Sequence, residues 1–258
     1  MPSEPRPYLM VSVAVLITLA CGACTSAVHR PPQPLATSLQ ELAPHGDGDH
    51  FVYVWKQGLG GGSVRAGIQV EHLTSLDNGE FDVTLSEDGV IVGHTRFRDD
   101  GHTLLLLSES LGRGLRLSYD PPLPQLQTPL YAAEVRSAAT ATISTVAEGR
   151  QLDTLQVTQL VETTAARNVR SRLGDYAHAV QVRTLRTLQF PDGPVELSST
   201  AVLVPSIGEV RSEGAATGAA PLVRELACAT IGGRAIGNCQ TLREQVEKLE
   251  RAGSTDIH

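Results

Sequence analysis

The chain has 258 residues, 41% of them hydrophobic and 4% aromatic, with a formal net charge of −7. Lys56 and Lys248 are its two lysines, and phosphate backbones demand clustered Lys and Arg, so nucleic acid is excluded as a main partner. So few aromatic side chains also exclude ring stacking on bases or sugars as a broad theme.

Read from its start, the chain opens with one positive charge, Arg6, and then residues 8–20 (YLMVSVAVLITLA) carry no charge at all. This run is shorter than the roughly 20 apolar residues a bilayer span needs, and it has the length of a signal-peptide core. Ala20 then precedes Cys21. The string Ile17-Thr18-Leu19-Ala20-Cys21 resembles the lipobox of bacterial lipoproteins, whose cysteine takes a diacylglyceryl group and becomes the new N-terminus. It departs from the commonest pattern at Thr18, where Leu is usual. The resemblance implies removal of residues 1–20, a lipid on Cys21, and attachment to a membrane. It also implies a cell-envelope location facing the periplasm or the exterior. Gly22 in place of a retention Asp implies the outer membrane if the host has one. Cys24, after Gly22-Ala23, is the alternative lipidation site. Two other readings are a plain signal peptide cut after Ala20 or Ala23, and an uncleaved anchor helix. Both also export the rest of the chain.

Residues 21–48 read as a tether. Arg30-Pro31-Pro32-Gln33-Pro34 is extended and semi-rigid, which spaces a domain from a membrane. A helical turn is expected near 38–42. His45-Gly46-Asp47-Gly48-Asp49-His50 gathers oxygen and imidazole donors but lacks the further carboxylates of a calcium loop, so it is read as a solvated linker without a metal.

From residue 49 to 214 the text alternates apolar with polar residues, the period-2 mark of half-buried strands. Expected strands are 51–55, 66–73, 81–86, 90–97, 103–107 and 115–119. Turns at Asp77-Asn78-Gly79, Glu87-Asp88-Gly89 and Asp99-Asp100-Gly101 join them as an antiparallel meander. Pro121-Pro122-Leu123-Pro124 is expected to break the pattern before a crossing at 125–131. Strands at 139–147, 152–163, 177–190, 195–204 and 209–212 follow, and 214–220 reads as flexible. Residues 215–258 are assigned to a disulfide loop and a terminal helix. Cys228 and Cys239 are expected to pair, because thiols this close in sequence oxidise outside the cytoplasm. Residues 241–251 (TLREQVEKLER) place Leu242, Val246 and Leu249 at helical spacing.

The layout of 176–213, a long strand returning through Pro191-Asp192-Gly193-Pro194 and ending in Pro205-Ser206-Ile207-Gly208-Glu209-Val210, resembles the closing hairpins of a family of bacterial envelope domains. Their architecture is similar to the half-open barrels of the LolA and LolB lipoprotein carriers. Val204 stands where an aromatic is usual. The resemblance implies a mainly β fold, a curved antiparallel sheet or half-open barrel (meander) with a short C-terminal α-helix, and nothing catalytic.

No nucleophile elbow or phosphate-loop lysine is present, so no catalytic residue and no cofactor is predicted. Gly58-Leu59-Gly60-Gly61-Gly62 lacks the strand–helix setting of a nucleotide loop and reads as a hairpin tip. His72, His94, His102 and His178 read as solvent-face residues. In 90–97 neither alternating set is uniformly polar, and Leu104-Leu105-Leu106-Leu107 is apolar on both faces. Such strands either fill a two-layer core or leave a concave face for something oily. The sequence thus admits two partners beyond the membrane: a lipid or acylated ligand on the sheet, or an envelope protein.

Overall fold

The computed structural model describes residues 34–239, apart from 61–62, 88, 113 and 148, together with Leu242. Among them thirteen strands follow in sequence order. They are β1 (His50–Gly60), β2 (Ser63–Ser75), β3 (Glu80–Glu87), β4 (Val90–Asp99), β5 (Thr103–Gly112), β6 (Leu115–Gln127) and β7 (Ala133–Thr145). The rest are β8 (Gln151–Ser171), β9 (Gly174–Phe190), β10 (Gly193–Val204), β11 (Gly208–Ala216), β12 (Leu222–Ile231) and β13 (Arg234–Gly237). Each strand through β12 pairs antiparallel with its predecessor, and β12 pairs back onto β1 from His50↔Thr230 to Gln57↔Leu222. Twelve strands therefore close into a barrel.

Closure corrects the expected half-open sheet. The closing strand, β12, lies in the stretch read as a disulfide loop. Its alternation is broken by a bulge, since Val52 faces Cys228 while Tyr53 faces Leu226. The extra residue puts Leu226, Ala227, Cys228 and Ala229 in a fully buried row, which hides the period of 2. The edge of β12 away from β1 is shared, with β11 on 222–225 and β13 on 228–231.

The three acidic-Gly turns form where expected. Asn78 (φ 60°) and Gly79 (φ 74°) make a 3-10 turn between β2 and β3, and Gly79 is obligatory there because a Cβ would sit 2.5 Å from the Asp99 carbonyl oxygen. The Pro-rich stretch after 120 does not end its strand. It continues as the second half of β6, which keeps β5 as a partner through Leu106↔Leu123 and Leu104↔Leu126.

One end of the barrel is closed by residues 34–49. Helix α1 (Leu39–Leu42) is a single turn capped by Ser38, whose Oγ accepts from the Glu41 N–H at 3.2 Å. Leu39 and Leu42 plug the opening, and the Ser206 N–H donates to the Glu41 carbonyl at 2.6 Å. The residues read as a solvated linker form an ordered strap instead. Asp49 is buried and accepts from the Gly46 and Gly232 N–H groups at 2.9 and 2.7 Å. Asp47 accepts from the Ser75 N–H at 3.0 Å. His45 stacks on Phe81 with ring centroids 4.6 Å apart, and its Nε2 lies 3.1 Å from Asp99 Oδ2.

The inward faces carry two apolar clusters. One surrounds the strap end and includes Leu42, Phe51, Phe81, Val182 and Leu226. The other, on β5–β9, includes Leu117, Leu123, Ala141, Val157 and Leu188. A fully buried leucine of this kind contributes about 1.5–3 kcal/mol. A third cluster lies on the outer wall, where Val52, Val54 and Ala227 meet Leu242. Cys228 and Cys239 are joined there, with Cα atoms 5.7 Å apart. Apart from Leu242, which is buried, the predicted helix at 241–251 lies outside the described residues, as do Cys21 and Cys24.

Candidate functional site

The lumen holds a cavity of about 480 Å³ beneath the strap. That lies within the usual range of small-molecule sites, about 300–1,000 Å³. Its apolar wall comes from alternate residues of adjoining strands, such as Phe51 of β1, Leu73 of β2, Phe81 and Val83 of β3, and Phe97 of β4. Against this wall stand two arginines, Arg224 from β12 and Arg186 from β9.

Arg224 is held on two edges. Its Nε donates to Glu209 Oε1 at 2.8 Å and to Ser212 Oγ at 2.9 Å. Its Nη1 donates to Gln69 Oε1 at 3.0 Å and to Glu71 Oε1. Burial alone would lower the Arg224 pKa, but Glu209, Glu71 and Tyr53 hold it well above its ordinary value. Burial, opposed by Arg224 and reinforced by Glu209, pushes the Glu71 carboxyl up. Burial and the same two carboxylates push the Tyr53 phenol well above its usual range.

Arg186 is 7% exposed and is held in the same manner. Its Nε donates to Gln159 Oε1 at 3.1 Å, and its Nη1 to Glu109 Oε1 at 2.5 Å and to Tyr119 Oη at 3.1 Å. Tyr119 Oη also donates to Glu109 Oε1, and burial raises the Tyr119 pKa, so the phenol stays neutral. Neither Nη2 group donates to these partners, so each guanidinium keeps donor capacity, and both arginines line the cavity. Two guanidinium groups face three carboxylates, a formal balance of −1 when all are ionised.

None of these residues was singled out by sequence motif. Their trace in the sequence is a charge on the inward phase of an apolar alternation. Arg186 follows Val180, Val182 and Thr184 and precedes Leu188, and Glu71 lies between Gln69 and Leu73. The four histidines read as solvent-face residues stay out of the cavity wall: His72, His102 and His178 are exposed, and His94 Nδ1 meets Thr84 Oγ1 at 3.2 Å.

No known protein family matches the chain, and no curated protein is significantly similar to it. Two solved structures are similar in outline. One, from Bacteroides fragilis, is provisionally named an exported protein with a YmcC-like fold; it shares 14% identity over 72% of this chain and 96% of its own, with a TM-score of 0.41. The other, from Parabacteroides distasonis, is provisionally named a lipoprotein; it shares 12% identity over 76% of this chain and 98% of its own, with a TM-score of 0.40.

Proposed function

We propose that this protein is an exported, lipid-anchored envelope protein that binds an amphiphile in its barrel lumen and acts by binding, not catalysis. The observation that carries the binding reading is the cavity of about 480 Å³, apolar on most of its wall and set with two guanidinium groups, Arg186 buried and Arg224 half-buried. The apolar wall suits an acyl chain. The charged set suits a head group that accepts from the guanidinium donors and donates to the glutamates, so a neutral or zwitterionic head fits better than a bare anion. The anchor rests on the lipobox-like string at Cys21, with Cys24 as the alternative, and places the barrel at a membrane surface.

Native mass spectrometry and solvent extraction of the purified protein test this. The expected result is a bound acylated compound that Ala201→Trp, which fills the cavity, displaces. Ligand-free protein that takes up no offered lipid would overturn the reading.

A second reading is a scaffold that binds an envelope protein. What favours it is the β3–β4 tip, where Val90, Ile91 and Val92 are 65%, 60% and 41% exposed, an apolar run on both faces of a projecting hairpin. If Ile91→Ser loses no partner in a pull-down from the envelope fraction, this reading falls.

A further inference from the structure

The barrel wall is continuous by strand order but not along the whole length of its strands. β6 and β7 pair only from Leu115↔Thr145 to Asp120↔Thr140. Beyond that point 133–139 of β7 keep β8 as a partner and face no strand on the other side among the described residues. The second half of β6 turns instead toward β5. Three of its residues, Pro121, Pro122 and Pro124, have no N–H with which to rejoin β7.

The seam opens on a cleft of about 290 Å³. Ala133 and Val135, which point inward by the alternation that buries Ala139 and Ala141, line it together with Val161 of β8. Ala133 is exposed, as an inward-facing residue of a sealed barrel would not be. Gln125 and Leu126 line both this cleft and the lumen cavity, so one layer of side chain separates the two. That layer is held by Gln159 of β8, which is buried. Its Nε2 donates to the Pro124 carbonyl at 2.7 Å, and its Oε1 accepts from Gln125 Nε2 at 3.3 Å and from Arg186 Nε at 3.1 Å.

We propose that the seam between β6 and β7 is the lateral portal by which an acyl chain enters the lumen, with the Gln125–Leu126 layer, latched by Gln159, as its gate. The inference rests on the amphiphile-binding reading above. Two observations select an acyl chain over an inserted peptide strand. On the β6 side the Leu123 and Pro124 carbonyls are already taken by the Gln125 and Gln159 side chains, and at the mouth Thr163 Oγ1 donates to the Tyr131 carbonyl at 2.7 Å. With three prolines there as well, a peptide strand could pair on the β7 side alone, whereas an apolar chain needs no ladder. The second observation is where the chain leaves the barrel. Leu35 N–H donates to the Leu130 carbonyl at 2.6 Å and Leu130 N–H to the Ala36 carbonyl at 2.9 Å, and Leu130 lines the cleft. Cys21 precedes Pro34 by 13 residues, a reach of at most about 45 Å. A lipid on Cys21 therefore holds this end of the cleft within about 45 Å of the membrane that would supply the chain.

Stopped-flow binding of a fluorescent polyene monoacylglycerol to the full-length protein tests the route separately from the site. Val135→Trp narrows the cleft and should slow association and release together by about tenfold, with little change in their ratio. Tyr131→Ala, at the exposed lip, should speed both and leaves the core untouched should the tryptophan variant fail to fold. Ala201→Trp should abolish binding. Unchanged rates in both cleft variants, with Ala201→Trp still inactive, would overturn the portal and leave the lumen site standing. No binding by the wild type would sink both. Recovery of a bound peptide in place of an acyl compound would also overturn the portal.

Discussion

The guanidinium carbon of Arg224 lies 4.5 Å from the centroid of the Tyr53 ring, so one cation sits on an aromatic face while its edges hold Glu71 and Glu209. These four residues come from β12, β1, β2 and β11, the closing pair and the strand on either side of it. Arg186 repeats the pattern on the other wall, its guanidinium carbon 5.3 Å from the Tyr119 ring centroid. A cation over a ring, with carboxylates on its edge, keeps charge inside an apolar barrel at a tolerable cost. It also fixes donors in place before any ligand arrives, which lowers the entropy lost on binding.

Removing the cation should therefore cost more than removing a carboxylate. Arg224→Met leaves Glu71 and Glu209, whose side chains are 17% and 19% exposed, without their counter-charge. Breaking a fully buried pair in this way costs about 3–5 kcal/mol, and this half-buried one should cost less, since solvent screens part of the charge left behind. Adding Glu71→Gln and Glu209→Gln to that variant should restore much of the loss. Urea denaturation of the single and triple variants measures both effects, and equal midpoints for wild type and Arg224→Met would contradict the assignment.

The same cluster sets a pH dependence. Burial raises the Glu71 pKa above its ordinary 4.5 against the pull of Arg224, with Glu209 adding to the rise. The folded chain thus holds a proton at Glu71 that the unfolded chain has released. The resulting stability is fully present below pH 4.5 and is lost as pH rises through the raised folded value. Asp82 acts in the opposite sense: its hydrogen bonds to Arg96 hold its pKa low, and its contribution is lost only as pH falls below 3.8 toward that folded value. Glu71→Gln should abolish the decline above pH 4.5 and leave the acid limb of Asp82 unchanged. Denaturation midpoints over a pH series give the test as the difference between the two proteins; parallel curves would refute it.

Much of the wall was legible because its turns are chemical. Asn78-Gly79, Gly89 and Gly101 need positive φ, and each marks a reversal whose flanking strands alternate. β9 and β10 were legible for the same reason, through Pro191-Asp192-Gly193-Pro194, whereas β8 runs on past its expected end at 163 to Ser171 and meets β9 through a turn that carries no such signal. What was not legible depends on contacts distant in sequence. β12 reads as a loop because its bulge destroys the alternation, and only its pairing with β1, more than 160 residues earlier, explains its burial. The two cavity arginines were invisible as a site because nothing local distinguishes an inward charge with a partner from an outward one in water. Glu109 and Arg186, which bond directly, are separated by 77 positions. The seam was half legible: Pro121-Pro122-Leu123-Pro124 announces a broken ladder, but which neighbour is lost follows only from closure.

Trp55, the single tryptophan of the chain, allows a test of the register of β1 on β2. It faces Gly67 across β1–β2, it is 5% exposed, and its indole lies flat enough on the glycine that a Cβ there would stand 2.8–2.9 Å from Nε1, Cε2 and Cζ2. Real Cβ contacts do not approach so closely, and the indole cannot yield without opening the packing around it. Gly67→Ala should thus cost about 1–3 kcal/mol by overpacking and should shift the tryptophan emission as the ring is displaced. In a Trp55→Leu background the obstacle is gone. Alanine then gains about 0.5–1 kcal/mol over glycine in a strand, because it loses less backbone freedom on folding. The same substitution should destabilise one background and stabilise the other, a coupling that chemical denaturation of the four proteins measures directly. The same cost in both backgrounds would mean that Trp55 does not lie on Gly67, and the register of β1 on β2 would then be wrong.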